Sequence, residues 1–514
     1  MNKTHTTSTT KSYIILSGIT IFEKFLSFFL QALIAAYLGA TIITDSYYTA
    51  TEFMTLVDAT LFNGLVIALL NQYTYKIKNE GRDNALKLLS DTNNWFVLIS
   101  IIVTIFAFFS AKPLSAILAP GFDSEGRELL IRDIRIVAFV PIFIAMASSF
   151  LVILRQRKDF LIVGLKSLFI SLSGIALLLI IRFTNAENTL SLAWGQLIAS
   201  ALYCIAAWYG IRRYERISVF TLPKWGDDQK LIIKMWLPLI ISNGISRVSL
   251  MVDRIISSEL GEGSVSCLNY SQTLYNFVHA IIVVNLCTIL LSDFLNLAAE
   301  NRVEDLKNRI IKTLSLVIYL LGIITIIILF YSNEIVSIIF ERGNFDNNSV
   351  IKTGGLLLFY GLCLIPSAIN NIYIQLHYSY GKTTKTMIVS LISIGINIAV
   401  SIVLSKIIGI SGIAIGTLVS TIVMTIFYFI STRRIIPSYK GLINITFLRN
   451  CIVGFATCIC VVNVVKWLVP YKIASFILAT VFSFFFTAAV LFILRDRGVC
   501  NMFNIVIKRL NHSK

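Results

Sequence analysis

The sequence predicts an all-α polytopic membrane protein with about fourteen transmembrane helices. Of its 514 residues, 56% are hydrophobic and only 14% are charged, whereas soluble domains carry about 25% charged residues. Apolar stretches of about twenty residues recur along the whole chain, and basic residues are concentrated in alternate loops between them. Because lipid-exposed backbone must hydrogen-bond within its own segment, each stretch is expected to be an α-helix.

The predicted spans, in order, cover residues 13–38, 46–72, 94–111, 130–154, 160–182, 190–210, 232–257, 264–291, 310–330, 354–376, 387–405, 411–430, 450–468 and 474–494. Basic residues follow every even-numbered span, as Lys76 and Lys78 follow the second and Arg433 and Arg434 the twelfth. The positive-inside rule then predicts that both termini are cytoplasmic. Twelve polar residues precede the first span without an evident cleavage site, so we interpret it as a retained helix rather than a signal peptide.

The net charge of +17 follows this loop pattern, so it indicates topology and contact with anionic lipid rather than nucleic acid. The eight cysteines are scattered without CxxC pairs. Cys451, Cys458 and Cys460 fall in an apolar segment and are expected to be buried thiols. We predict no metal, cofactor or disulfide framework.

Two short sequence pairs indicate an internal repeat. Gly121-Phe122-Asp123 corresponds to Gly343-Asn344-Phe345-Asp346, and Leu38-Gly39 corresponds to Leu260-Gly261 at a similar offset. An even number of spans separates the copies, so they share one orientation, as in transporters with parallel repeats. The predicted divisions are a cytoplasmic tail, two six-helix repeats, a C-terminal helix pair and a basic cytoplasmic tail, at residues 1–12, 13–225, 226–440, 441–494 and 495–514.

Polar residues are concentrated in the first two helices of each repeat. In the first span Thr20, Glu23, Lys24, Ser27 and Gln31 recur at three- and four-residue steps, which places them on one helix face. A charge at mid-membrane costs at least about 2.5–3.5 kcal/mol on insertion scales, so such a face is expected to line protein or water. The candidate substrate-binding residues of the four striped spans are Lys24, Arg247, Arg254, Glu23, Glu52, Asp58, Asp253, Gln272 and Asn276.

The alternative is that these charges only neutralise one another as buried pairs. His279 is expected to be a packed histidine, while Lys166 and Arg135 are expected to snorkel from their spans. We find no Walker A, HExxH or nucleophile-elbow motif, so the sequence predicts a transporter rather than an enzyme. Transport would be coupled to an ion gradient or the membrane potential, or would run downhill.

Several stretches resemble the MurJ/MviN lipid II flippases of the multidrug/oligosaccharidyl-lipid/polysaccharide exporter superfamily. They are Ala35-Ala36-Tyr37-Leu38-Gly39-Ala40 through Thr44-Asp45-Ser46-Tyr47-Tyr48, Ala119-Pro120-Gly121-Phe122, Gly263-Ser264-Val265-Ser266 with Tyr270, and Thr288-Ile289-Leu290-Leu291. They are spread over both halves, and the count of fourteen spans agrees with the family.

The resemblance implies a multi-pass flippase of the bacterial inner membrane. It would move an undecaprenyl-diphosphate-linked oligosaccharide precursor to the periplasmic leaflet by alternating access. In the family, the first, second, seventh and eighth helices line the cavity, and the last two form a groove for the lipid tail. Those four cavity helices are the striped spans.

The family's cavity arginines do not all carry over. The first falls on Lys24, which keeps the charge but loses the bidentate fork. The other three fall on Leu30, Asp58 and Thr273, while the acidic residue early in the second helix is kept as Asp45.

A diphosphate needs cationic or dipolar partners, so Lys24, Arg247 and Arg254 are the predicted phosphate ligands. Glu23, Glu52, Asp58 and Asp253 would pair with these cations in the empty state or bind a coupling monovalent cation.

Three transport functions stay open at this point, together with a non-transporting membrane scaffold, for which neutralising the striped residues would leave function unchanged. The substrate of a flippase could be lipid II, the peptidoglycan precursor, or an O-antigen or capsule repeat unit. An ion-coupled multidrug exporter of the same superfamily would use an acidic, cation-accepting cavity, with which Glu52, Asp58 and Asp253 are compatible.

Overall fold

The computed structural model describes residues 22–157, 159–184, 190–214, 226–436 and 445–494, and these residues form helices and no strands. The tail at 1–12, Thr20, the basic tail at 495–514 and parts of three basic loops lie outside the described residues. The long helices are α1 (22–38), α2 (Ile42–Asn79), α3 (Arg82–Phe109), α5 (Ser124–Gln156), α6 (Lys166–Thr184), α7 (Ala193–Ile211), α8 (Asp227–Ser258), α9 (from Ser264 to Ala299), α10 (Val303–Phe340), α11 (Asn347–Ser379), α12 (Thr383–Ile408), α13 (Ser411–Ile435), α14 (Ile445–Leu468) and α15 (Lys472–Ile493), with a short α4 at Ala111–Leu118.

The predicted fold class is confirmed: the protein is an all-helical, multi-pass membrane protein. Within the described residues, ten helices are long and apolar enough to span a membrane, and each overlaps one of the predicted spans. The remaining four predicted spans are helical as α1, α7, α8 and α9, but they are not among these ten. The count of fourteen spans therefore stays a prediction.

The described residues form two compact units. One comprises the chain up to Asn269 together with Arg342–Phe345, and the other comprises Tyr270–Glu341 and the chain from Asp346. This division follows packing, whereas the predicted boundaries at 225 and 440 follow the sequence repeat. The predicted domain boundaries therefore stay untested.

The core of the first unit lies between α2, α3, α5, α7 and α8. Leu69, Phe150 and Tyr203 are buried there. Trp236 of α8 contacts the ring of Phe96 edge-on and donates a 2.7 Å hydrogen bond to the Leu61 carbonyl of α2. Because the indole ring is packed and its N–H group is hydrogen-bonded, Trp236 fixes α8 against the second half of α2.

In the second unit, α10 packs against the C-terminal pair α14 and α15. The α10 backbone leaves helical geometry at Tyr331, whose φ is −128°. Lys466 of α14 donates a 2.9 Å hydrogen bond to the Phe330 carbonyl beside this kink and lies 3.3 Å from Glu334. The lysine thereby satisfies a carbonyl at the kink. In the same pair Cys451 and Cys458 are buried as expected, whereas Cys460 is exposed.

The two copies of the predicted repeat share local structure. Asp123 and Asp346 each cap the helix that follows, accepting 2.8 Å and 2.9 Å hydrogen bonds from backbone N–H groups. Each cap follows a shorter helical segment, α4 in one copy and the part of α10 beyond its kink in the other. Both second helices also contain a π-helical turn, which begins at Asp58 in α2 and at Ala280 in α9. These turns are separated by the same offset as Leu38-Gly39 and Leu260-Gly261.

Candidate functional site

Three acid–base pairs lie within the first unit, two of them at the middle of α2 and the third on α1. Arg247 of α8 approaches Glu52 at 3.8 Å, and Lys166 of α6 lies 2.5 Å from Asp58. On α1, Lys24 lies 3.9 Å from its neighbour Glu23. The pairs thus combine five of the predicted site residues with Lys166, to which sequence analysis assigned only a snorkelling role. These residues are the candidate functional site.

The helices bring these pairs to a similar depth. Helix α6 runs beside α1 in the same direction, because Gly174 lies against Leu30 and Arg182 stacks on the ring of Tyr37 at 5.9 Å. Following α6 back from Gly174 to its first residue covers about 12 Å, which brings Lys166 to the level of Lys24. Helix α8 meets the same part of α2, since Gly244 packs against Thr60.

In each pair the acid is more buried than the base. The side chains of Lys24, Arg247 and Lys166 are 47%, 39% and 35% exposed, whereas those of Glu23, Glu52 and Asp58 are 12%, 14% and 16% exposed. One buried oxygen of Glu52 and one of Asp58 have no hydrogen-bond partner in the described structure. The acids therefore neutralise the cations from their less exposed side. The exposed side of each cation remains accessible to a further anion.

Arg254 occupies a different environment, since it is only 4% exposed. Its guanidinium donates hydrogen bonds to the Val265 carbonyl at 3.2 Å and to Asn269 Oδ1 at 2.8 Å. Asn269 in turn donates to Gln31 Oε1, which also accepts a 2.6 Å bond from the Tyr48 hydroxyl. These contacts join α8, α9, α1 and α2, so they give Arg254 a structural role. Its predicted part in substrate binding stays untested.

The remaining predicted site residues are not members of these pairs. Asp253 is 3% exposed, and one of its oxygens has no hydrogen-bond partner in the described structure. In the second unit, Gln272 donates a 3.0 Å hydrogen bond to the hydroxyl of Tyr360, and Asn276 is exposed. His279 lies within hydrogen-bond distance of Ser367, as expected for a packed histidine.

Asp45 forms the densest hydrogen-bond cluster of the first unit. Its fully buried carboxylate accepts bonds from the backbone N–H groups of Gly263 and Ser266, both at 2.7 Å, and from the Ser266 hydroxyl at 2.6 Å. These N–H groups lie at the start of α9, where they have no partner within the helix and the helix dipole favours an anion. Asp45 therefore ties the start of α2 to the start of α9.

Asn344 makes two further hydrogen bonds in the same region of the first unit. The backbone N–H of Asn344 donates a 2.9 Å hydrogen bond to the Ala36 carbonyl, and its side-chain amide donates a 2.6 Å bond to the Tyr37 carbonyl. In the sequence, Asp45 is recognisable only by its match to the family, and the Gly343-to-Asp346 motif only by its match to the internal repeat. The missing information was their partners, which are hundreds of residues away in the chain.

Comparisons with known proteins indicate the family of the chain. A family model described as lipid II flippase MurJ matches residues 34–490. The chain is similar to a probable lipid II flippase MurJ of Buchnera aphidicola, with 27% identity over 391 residues, covering 74% of this chain and 75% of that protein. It is also similar to a probable lipid II flippase MurJ of Rhizobium tropici, with 23% identity over 436 residues, covering 83% of this chain and 81% of that protein.

Solved structures give the same result for the fold. A structure of lipid II flippase MurJ in an inward closed conformation matches with a TM-score of 0.81 at 19% identity, covering 93% of this chain and 99% of that one. An inward-facing multidrug resistance MATE family transporter of the MOP superfamily matches with a TM-score of 0.69 at 14% identity, covering 83% and 98%. At these identities the structures establish the fold alone. Because the family model spans most of the sequence, the chain belongs to the lipid II flippase MurJ family.

Proposed function

We propose that this protein is a flippase of the bacterial inner membrane. It moves an undecaprenyl-diphosphate-linked sugar precursor, lipid II or a related repeat unit, from the cytoplasmic to the periplasmic leaflet by alternating access. The observation that carries the proposal is the set of partly exposed cations on α1, α6 and α8, each of which lies beside a less exposed carboxylate. Membership of the family supports the substrate class.

The geometry suits reversible binding of a diphosphate. The 3.8 Å separation of Arg247 from Glu52 exceeds hydrogen-bond distance, so the guanidinium is held loosely and keeps its donors for another anion. Lys24 is held equally loosely by Glu23, at 3.9 Å. When the diphosphate leaves, the carboxylates neutralise the cations again, which limits the cost of the empty state. A coupling monovalent cation could then be drawn to the acidic residues.

Alternating access also requires that the periplasmic end of the transport pathway closes and opens. The bonds from Gly263 and Ser266 to Asp45 suit that role because they are short, buried and made by a charged acceptor. Hydrogen bonds to charged groups contribute about 1.5–3 kcal/mol each. Substrate release on the periplasmic side would require this cluster to break, and its re-formation would reset the transporter.

The proposed orientation has both termini in the cytoplasm, supported by the basic loops that follow even-numbered spans. A single cysteine in place of exposed Asp83, in the first turn of α3, should then react with a membrane-impermeant maleimide only after the cells are opened. A cysteine in place of exposed Ser124, at the start of α5, should react in intact cells. The reverse labelling pattern would overturn this orientation.

The substrate is tested by rescue of cells depleted of their own lipid II flippase. We expect the wild-type protein to restore growth, and Lys24→Ala or Arg247→Ala to fail at equal membrane levels. If the wild-type protein fails to restore growth at good membrane expression, the peptidoglycan precursor is excluded as its substrate. Loss of surface polysaccharide in a deletion strain would then assign a repeat unit, whereas drug sensitivity alone would assign a multidrug exporter.

A further inference from the structure

We propose that Lys166 is a further cation that binds the phosphates of the transported lipid, held in place by Asp58 at the π-helical turn of α2. The inference rests on the proposed function and names an additional residue of the same site. Its basis is the geometry of the Lys166–Asp58 pair, because nothing in the sequence near Lys166 indicates a ligand.

The π-helical turn places Asp58 in an unusual position. The turn covers Asp58–Asn63 and begins at Asp58 itself. Such turns arise from one extra residue in an α-helix and occur frequently at functional sites. Here the turn presents a carboxylate to the first residue of α6, and Asp58 Oδ2 accepts the bond from Lys166 Nζ. An ammonium group is thereby anchored in a half-buried place within an apolar protein.

A different lysine shows what a purely structural ion pair looks like in this chain. Lys76 lies near the end of α2, and only 11% of its side chain is exposed. It contacts both Glu80 and Asp228, at 2.8 Å and 2.7 Å, and these acids are 43% and 45% exposed. There the cation is buried beneath two acids, which occupy its donors.

The pair at Lys166 has the opposite arrangement, with the acid 16% exposed and the cation 35% exposed. An ammonium group has three donors. The bond to Asp58 uses one, and the exposed side of the group leaves room for phosphate oxygens. Lys166 also shares this arrangement with Lys24 and Arg247, and it lies at the depth of Lys24. We therefore place it in the same anion-binding surface.

The experiment measures binding of undecaprenyl diphosphate, which carries no sugar, by native mass spectrometry of the full-length protein. The test variant is the double substitution Asp58→Asn, Lys166→Gln. It removes both charges but keeps two side chains that can hydrogen-bond, so no buried carboxylate is left uncompensated. The control is Asp227→Asn, Lys230→Gln, which neutralises an exposed pair at the start of α8 with the same change in net charge.

We expect the test variant to bind at least about tenfold more weakly than wild type. The control variant and Lys166→Arg should bind within about threefold of wild type, because both keep a cation at position 166. Each protein is assayed below its own melting temperature.

Binding of the test variant within threefold of wild type would overturn the role of Lys166. An equal loss in Lys166→Arg would also overturn it, because packing rather than charge would then be responsible. If the wild-type protein binds no undecaprenyl diphosphate, the proposed function itself fails, which is a distinct outcome.

Discussion

At the scale of single residues, chemical type alone does not determine role in this protein. Arg247 and Arg254 lie about two turns apart on α8, so the sequence places them on one face. The structure separates them, because Arg247 is 39% exposed and loosely paired, whereas Arg254 is buried in a hydrogen-bonded network. Helical spacing reports the face of a residue but not what packs against it, so this difference could not be predicted.

The two arginines should therefore respond differently to the same substitution. Arg247→Met should leave the melting temperature of the purified protein nearly unchanged and abolish rescue of depleted cells, since its ion pair is partly exposed. Arg254→Met removes a buried guanidinium that donates to the Val265 carbonyl and to Asn269 Oδ1, so it should lower the melting temperature by several degrees. Equal effects of the two variants on melting temperature would contradict these assignments.

Two glycines in one loop provide a second test at this scale. Gly261 and Gly263 both have positive φ, 95° and 76°, so alanine at either position incurs a backbone cost of roughly 1–2 kcal/mol. A Cβ at Gly263 would lie 2.4 Å from the Ala40 carbonyl oxygen, whereas one at Gly261 would meet nothing within 4 Å.

Gly263→Ala should therefore lower the melting temperature by at least about 2 °C more than Gly261→Ala. It should also impair rescue, because moving residue 263 away from Ala40 would lengthen the hydrogen bond that its backbone N–H donates to Asp45. If both variants have the same melting temperature, the close approach of this loop to the start of α2 is not important for stability.

At the scale of elements, the repeat was predictable but the π-helical turns were not. The motifs around Asp123 and Asp346 predicted equivalent segments, and both residues do cap helices after a shorter helical segment. The π-helical turns of α2 and α9 were not predicted, because one extra residue leaves the hydropathy unchanged and shifts the polar and apolar pattern by a single position. Their positions, at Asp58 and Ala280, are separated by the offset of the predicted repeat.

Deletion of one residue tests whether the turn in α2 is an insertion. Removing Ala59 should convert the turn to α-helix and keep Gly64–Asn79 facing their partners in the core. Removing the exposed Ile67, within regular α-helix, should rotate the following residues by about 100° and misplace Leu69 and Tyr73.

We expect a monodisperse peak of nearly normal height on size-exclusion chromatography for the Ala59 deletion, and aggregation for the Ile67 deletion. Similar aggregation of both variants would show that the turn is not an independent insertion in α2.

At the scale of the whole molecule, composition and alternating loop charge were sufficient to predict a multi-pass helical protein. They did not predict which residues form compact units, because α8 begins the second repeat in sequence yet packs with the first unit. The candidate site shows the same limit. Five predicted residues do lie in the ion pairs around α2, but Lys166 joined them only through a contact with Asp58 that spans 108 residues.

The central claim is that the cations around α2 carry a lipid-linked diphosphate across the bilayer. The most direct measurement is a leaflet-accessibility assay in proteoliposomes that contain fluorescent lipid II or a defined repeat-unit lipid. We expect the wild-type protein to expose the inner-leaflet lipid to an external reagent, and Arg247→Met to reduce this rate to that of empty liposomes. Equal rates for wild type and Arg247→Met would contradict it.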